Sequence, residues 1–85
     1  MRSIVITGST RGIGYGLADS FLALDCDVTV SGRTLAGVER AVEALSSKHQ
    51  TENAFGHPCD VTRFEQVQAL WDAAANRFGN SFAKT

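Results

Sequence analysis

Apolar residues along this 85-residue chain alternate between short β-branched runs and longer segments with helical spacing. Residues 3–7 (Ser-Ile-Val-Ile-Thr) have the composition of a strand that is covered on both faces. Residues 27–31 predict a second strand, and residues 54–59 predict a weaker third one. Pro58 removes a backbone donor from this third segment, which therefore predicts an edge strand or a strand end.

Three further segments carry apolar residues three or four positions apart, as one buried face of a helix requires. The first covers residues 12–24, and the second begins after Thr34, a residue type that caps helix starts. The third begins at a capping box formed by Thr62 and Glu65 and ends at Gly79. The predicted buried faces are Ile13, Leu17, Phe21 and Leu24; then Leu35, Val38, Val42 and Leu45; then Phe64, Val67, Trp71, Ala74 and Phe78.

Strands that alternate with helices in the order β-α-β-α-β-α indicate an α/β fold with a parallel sheet and right-handed crossovers. The predicted architecture is Rossmann-like, with helices on both faces of the sheet in three layers. Residues 80–85 show no periodicity, so the pattern predicts one structured unit over residues 1–79 and a loose C-terminal tail over residues 80–85.

The composition and net charge indicate which classes of partner to expect. The hydrophobic fraction of 44% and the charged fraction of 20% are typical of a globular domain. The basic residues are scattered and the net charge is −1, so neither nucleic acid nor a membrane surface is predicted as a partner. Cys26 and Cys59 lack the spacing of a disulfide framework or a metal site, which predicts small buried thiols. No apolar run approaches about 18 residues and no signal peptide is recognisable, so a cytoplasmic location is the default expectation.

The candidate chemistry lies between the first strand and the first helix, where residues 7–14 read Thr-Gly-Ser-Thr-Arg-Gly-Ile-Gly. Glycines there allow a sharp turn, a close approach to a phosphate and tight helix packing, while the helix start offers free amides to an anion. The spacing Gly-x3-Gly-x-Gly differs from the common Gly-x-Gly-x-x-Gly fingerprint, and no Lys-Ser/Thr follows as in a P-loop. The alternative, a plain flexible loop, is disfavoured by the position between a strand and a helix.

This motif resembles the cofactor motif of the short-chain dehydrogenase/reductase family, and two further segments agree with that family in order and spacing. Residues 31–33 (Ser-Gly-Arg) end the second strand, where the family reads the adenosine ribose, and residues 59–62 (Cys-Asp-Val-Thr) follow the third, where it contacts adenine. The resemblance implies strand order 3-2-1 and the N-terminal half of a dinucleotide-binding domain, incomplete without later strands. It implies a nicotinamide dinucleotide as partner and these cofactor-binding residues: Gly8, Thr10, Arg11, Gly12, Ile13, Gly14, Arg33, Asp60 and Val61.

Arginines at two of these positions favour NADP(H) over NAD(H). NAD sites usually place an acid at the end of the second strand, and residues 31–33 contain none. Arg33 offers a charged, planar fork to a ribose 2′-phosphate, and Arg11 lies where similar family members carry a basic residue that reaches the same phosphate. In the alternative interpretation, either arginine is a solvated surface residue and Asp60 only satisfies turn amides.

The family's catalytic residues are absent from these 85 residues. The resemblance implies a later serine and a tyrosine and lysine separated by three residues, and the single tyrosine, Tyr15, has no such lysine. No catalytic or metal-ligating residue is therefore predicted. His49 and His57 are interpreted as surface or turn residues with no acidic partner nearby.

Two functions stay open, and so does the question of whether this chain alone is an enzyme. In the first, the chain is the NADP(H)-binding portion of a short-chain oxidoreductase, which in complete form moves hydride between nicotinamide and a carbonyl or alcohol. Alternatively, it is a truncated, non-catalytic nucleotide-binding or interaction fragment, or a non-functional remnant. A missing fourth strand would leave the first strand with a free edge. That edge predicts low stability, self-association, or pairing with a missing C-terminal half.

Overall fold

The computed structural model describes residues 3–79 and 82–84, in which strands and helices alternate. In chain order the elements are β1 (Ser3–Ile6), α1 (Gly12–Ala23), β2 (Asp27–Val30), α2 (Leu35–His49), β3 (Ala54–Gly56), α3 (Phe64–Phe78) and β4 (Phe82–Lys84). The predicted α/β fold is confirmed, and each predicted strand and helix is present within a few residues of its expected bounds.

The strands form one parallel sheet in the order β3-β2-β1-β4. The predicted order 3-2-1 is therefore confirmed, with β4 added on the free side of β1. Strand β3 lies at the edge of the sheet and ends at Gly56, two residues before Pro58, as the missing proline donor requires.

The C-terminal segment differs from the predicted loose tail. Phe82–Lys84 form β4, which pairs in parallel with β1 through Ser3↔Phe82, Ile4↔Ala83 and Val5↔Lys84. The predicted free edge on β1 is therefore wrong over these three residues of β1, and so is the argument for association through it. The sequence pattern did not predict β4 because three residues are too few to show the alternation of side chains that is typical of a strand. Residues 80, 81 and 85 of the predicted tail lie outside the described residues.

The core has one layer on each face of the sheet, because alternate side chains of a strand point to opposite faces. Ile4, Ile6, Val28 and Val30 pack with α1 and α2 in one cluster. Val5 faces the other way and packs with α3, together with the following buried or partly buried residues: Cys59, Leu70, Ala74, Val67 and Trp71. Trp71 thus belongs to the core layer under α3, as predicted.

Helix α1 follows the predicted face only at Phe21, which is partly buried and packs against the core. Ala18 and Leu22 are buried, whereas Ile13 is 85% exposed, Leu24 is 72% exposed and Leu17 is also exposed. The reason lies in Gly14, where an added Cβ would lie 2.6 Å from the carbonyl oxygen of Gly8. Gly14 and Ala18 are four positions apart, so they put the smallest side of the helix against β1 and turn Ile13 outward.

Helices α2 and α3 follow the predicted faces more closely. Val38 and Leu45 are buried on α2 and Ala74 on α3, as expected. The first residue of each helix departs from the prediction, because Leu35 and Phe64 are exposed at the helix starts. Thr34 caps α2 as predicted, its hydroxyl accepting a hydrogen bond from Gly37 N at 3.2 Å. No helix within residues 3–79 is both long and apolar enough to cross a membrane.

Candidate functional site

A cleft of about 960 Å³ lies at the carboxyl ends of the strands, where ligands bind in open α/β sheets. The turns after β1, β2 and β3 and one side of α2 form its walls. It brings together six of the predicted cofactor-binding residues: Gly8, Thr10, Arg11, Arg33, Asp60 and Val61. The other three, Gly12, Ile13 and Gly14, form the first turn of α1 beside it.

The turn between β1 and α1 needs glycine at three positions for two reasons. Gly8 and Gly12 have φ values of +61° and +67°, in the left-handed region that favours glycine. Gly14 has ordinary backbone but lies against Gly8, which leaves no room for a Cβ. Arg11 occupies the N-cap position of α1 without a side-chain cap hydrogen bond, so the first amides of α1 have no capping side chain. Such amides, with the positive end of the helix dipole, suit a phosphate.

Two buried serines join this glycine turn to the end of β2, and sequence reasoning missed them. Ser9 Oγ donates to Ile6 O at 2.7 Å and accepts from Ser31 N at 2.8 Å. Ser9 N donates to Ser31 O at 2.8 Å, so the two residues bond through backbone and side chain. Both are almost fully buried. Serines in turns are common and these two are 22 residues apart, so no local pattern indicates the pair.

The ends of β2 and β3 are joined in the same region. Cys59 N donates to Gly32 O at 2.8 Å, and a Cβ on Gly32 would lie 2.6 Å from Thr10 Cγ2. Glycine at position 32 therefore lets Thr10 pack against the β2 turn. Burial, and then the nearby charge of Asp60, raise the pKa of the Cys59 thiol, which fits the predicted buried thiol better than a reactive one.

Asp60 makes the contacts of a turn. Its Oδ1 accepts from Thr62 Oγ1 at 2.7 Å and from Thr62 N at 3.0 Å. The pKa of Asp60 is lowered first by the hydrogen bond from the Thr62 side chain, then by the Thr62 amide, with smaller contributions from Arg33 and Arg63. These contacts agree with the turn interpretation of Asp60, and neighbouring Val61 is 58% exposed in the cleft.

The capping box predicted for α3 is wrong. Arg63 is the N-cap residue and makes no side-chain cap hydrogen bond. Thr62 instead directs its hydroxyl to Asp60, and Glu65 accepts from Arg63 Nε at 2.9 Å. Thr62 therefore hydrogen bonds within the turn that contains Asp60 and does not cap α3.

Three arginines line the cleft, one more than the sequence predicted. Arg11 and Arg33 lie in the turns after β1 and β2, and Arg40 reaches the cleft from α2. All three are exposed, and none forms a hydrogen bond or ion pair with another residue in the described part of the chain. Arg40 was missed because it lies in the middle of a helix, outside every motif. The cleft therefore carries positive charge, and Asp60 is the one carboxylate among the described residues that line it.

A second group of charged residues lies away from the cleft. Asp19 on α1 accepts from Lys48 Nζ at 2.9 Å, and its Oδ1 lies 2.6 Å from His49 Nε2. The interpretation of His49 as lacking an acidic partner is therefore wrong, because the partner comes from another helix. His57 hydrogen bonds to the carbonyl of Pro58 in the turn after β3, as a turn residue does. Within residues 3–79 no group of three histidine, cysteine or acidic side chains is arranged to hold a metal.

The sequence of this chain is similar to known dehydrogenases and reductases. The sequence model described as short chain dehydrogenase matches residues 2–81. Chlorophyll(ide) b reductase NOL, a chloroplastic protein of Oryza sativa subsp. japonica, is 39% identical over 75 residues, which are 88% of this chain. The chain spans 22% of the length of that relative.

Solved structures share the fold. Actinorhodin polyketide ketoreductase with NADPH superposes with a TM-score of 0.88 at 26% identity, over 99% of this chain and 32% of that one. The 3-ketoacyl-(acyl-carrier-protein) reductase of Brucella melitensis complexed with NADH gives 0.81 at 28% identity, over 92% of this chain and 30% of that one. The resemblance seen in the sequence is therefore confirmed.

Proposed function

This chain belongs to the short-chain dehydrogenase family, and we propose that it is the portion of an oxidoreductase that binds NADP(H). In the complete enzyme, hydride would pass between the nicotinamide and a carbonyl or alcohol of the substrate. One observation carries the proposal: a glycine turn with uncapped helix amides opens into the same cleft as three unpaired arginines. Similar structures with bound NADPH or NADH support a nicotinamide dinucleotide as the ligand.

The pyrophosphate would lie against the start of α1. Gly12, Ile13 and Gly14 provide backbone N–H groups there, and the positive φ of Gly8 keeps the preceding turn close to the backbone of the helix. Thr10, in the same turn, packs against Gly32 and lines the cleft.

The adenosine end would lie between the turns after β2 and β3. Asp60 uses Oδ1 for both contacts to Thr62, and no described residue donates to its Oδ2. That oxygen, with the backbone amide of Val61, would accept and donate hydrogen bonds at the edge of adenine. Turn formation and adenine binding by Asp60 are therefore compatible.

Preference for NADP(H) over NAD(H) would come from Arg33 and Arg11. A guanidinium forms paired, charge-assisted hydrogen bonds with a phosphate, whereas the ribose hydroxyl of NAD gains little from it. A cytoplasmic location remains a prediction, since the related rice reductase is named as chloroplastic.

Titration of the chain with NADPH and with NADH, followed by cofactor fluorescence, tests this proposal. We expect NADPH to bind more tightly, and Arg33→Asp to reverse the order because a carboxylate repels the 2′-phosphate. Arg77→Asp is the control, since Arg77 lies on α3 outside the cleft and the substitution changes the net charge by the same two units. Absence of binding by either cofactor in large excess would refute the proposed role.

A further inference from the structure

We propose that Arg40 is a specificity-determining residue of the cleft, whose guanidinium binds the cofactor 2′-phosphate together with Arg33. The inference rests on the proposed NADP(H)-binding function. It goes beyond that function because Arg40 belongs to none of the motifs that indicate a cofactor, and it enters the cleft from the side of α2.

The surface of α2 that faces the cleft is made of small residues and one long one. Gly37, Arg40, Ala41 and Ala44 line the cleft at helix spacings of three, four and seven, so they share one side of α2. Among the α2 residues that line the cleft, Arg40 is therefore the one with a long side chain. Its side chain is exposed and lines the same cleft as Arg33.

The distance along the helix suits a shared phosphate. Arg40 comes six residues after the Thr34 cap, about 9 Å along the axis at 1.5 Å per residue. Arg33 directly precedes that cap. Both residues line the cleft, so the 2′-phosphate would lie between their guanidinium groups, beside the first two turns of α2.

The charges of the cleft also leave Arg40 available to this phosphate, beside Arg33 and Arg11. A phosphate monoester carries about −1.5 to −2 charges at pH 7, more than one guanidinium neutralises. Among the cleft-lining residues Asp60 is the one carboxylate, and Thr62 already donates to it twice. Arg40 has no ion-pair partner within residues 3–79, so its charge is available to the ligand.

Dissociation constants of NADPH and NADH for the full chain, the Arg40→Gln variant and the Arg77→Gln control test the inference. We expect Arg40→Gln to weaken NADPH binding by about 5- to 20-fold and NADH binding by less than about 2-fold, since one charge-assisted contact is lost. Arg77→Gln is expected to change neither constant by more than about 2-fold. Equal weakening of NADPH and NADH by Arg40→Gln, or no weakening, overturns the inference.

Competition by two nucleotide fragments provides an independent measurement. Arg40→Gln should weaken 2′,5′-ADP, which carries the 2′-phosphate, by a similar factor and leave 5′-AMP unchanged. Equal effects on the two fragments would place Arg40 elsewhere along the cofactor and overturn the inference. The proposed function has a separate failure, in which the unaltered chain binds neither NADPH nor NADH.

Discussion

Ser9→Ala should destabilise the fold more than its small change in volume suggests. Ser9 Oγ accepts from Ser31 N at 2.8 Å and donates to Ile6 O at 2.7 Å, and Ser9 has no exposed surface. Removal of the hydroxyl leaves the buried Ser31 amide without this acceptor. A buried donor that loses its partner costs about 1–3 kcal/mol, since water cannot replace the lost bond.

The loss is large relative to the stability of so small a domain. A chain of 85 residues has a free energy of unfolding of about 4–13 kcal/mol at the usual value per residue. A change of about 2 kcal/mol would lower the melting temperature by about 8–16 °C for a domain of this size. Ser31→Ala should cost less, because Ser31 Oγ makes one longer bond, 3.3 Å to Ile6 O.

Urea unfolding followed by the fluorescence of Trp71, the single tryptophan, measures these differences. Ser47→Ala is the matched control, since Ser47 lies exposed on α2 and the same hydroxyl is removed there. The expected order of destabilisation is Ser9→Ala, then Ser31→Ala, then Ser47→Ala near zero. If Ser9→Ala and Ser47→Ala have the same urea midpoint, the buried serine pair does not hold the turn as argued.

Two further predictions concern stability. Thr29→Val should raise the free energy of unfolding by about 1 kcal/mol, because Thr29 Oγ1 is buried without a hydrogen-bond partner in the described structure; a lower urea midpoint would contradict this. Lys48, and then His49, lower the pKa of Asp19 through hydrogen bonds, so the stability that Asp19 contributes is present above its ordinary pKa of 3.8 and lost as pH falls below it. In urea unfolding from pH 2 to 7, the stability difference between the unaltered chain and Asp19→Asn should therefore shrink at the acid end; a pH-independent difference would refute it.

The sequence predicted the elements of this fold because each has a local cause. β-Branched runs such as residues 3–7, the Thr34 cap and the proline after β3 act within a few residues of where they stand. The glycine turn was equally readable, since the left-handed backbone of Gly8 and Gly12 is a local demand. Local signals of this kind survive in any tertiary context that tolerates the element.

Features that depend on distant contacts were not readable. The bond between Ser9 and Ser31, the pairing of Asp19 with His49 and the entry of Arg40 into the cleft each join segments that only the folded sheet brings together. The capping box failed for a related reason. The Thr62 hydroxyl could bond either to the first amides of α3 or to Asp60, and in the structure it donates to Asp60.

The misread face of α1 shows how the site itself constrains the fold. The predicted face was chosen from the spacing of the large apolar side chains, which places Ile13 and Leu17 toward the sheet. The start of α1 instead lies in contact with Gly8 and Ser9, where Gly14 has no side chain to obstruct the contact. Once Gly14 faces this turn, helix geometry places Ala18 and Leu22 on the same side of α1 and turns Ile13 outward. The close approach of Gly14 to Gly8 therefore sets which side of α1 packs against the core, and the hydrophobic pattern alone does not show it.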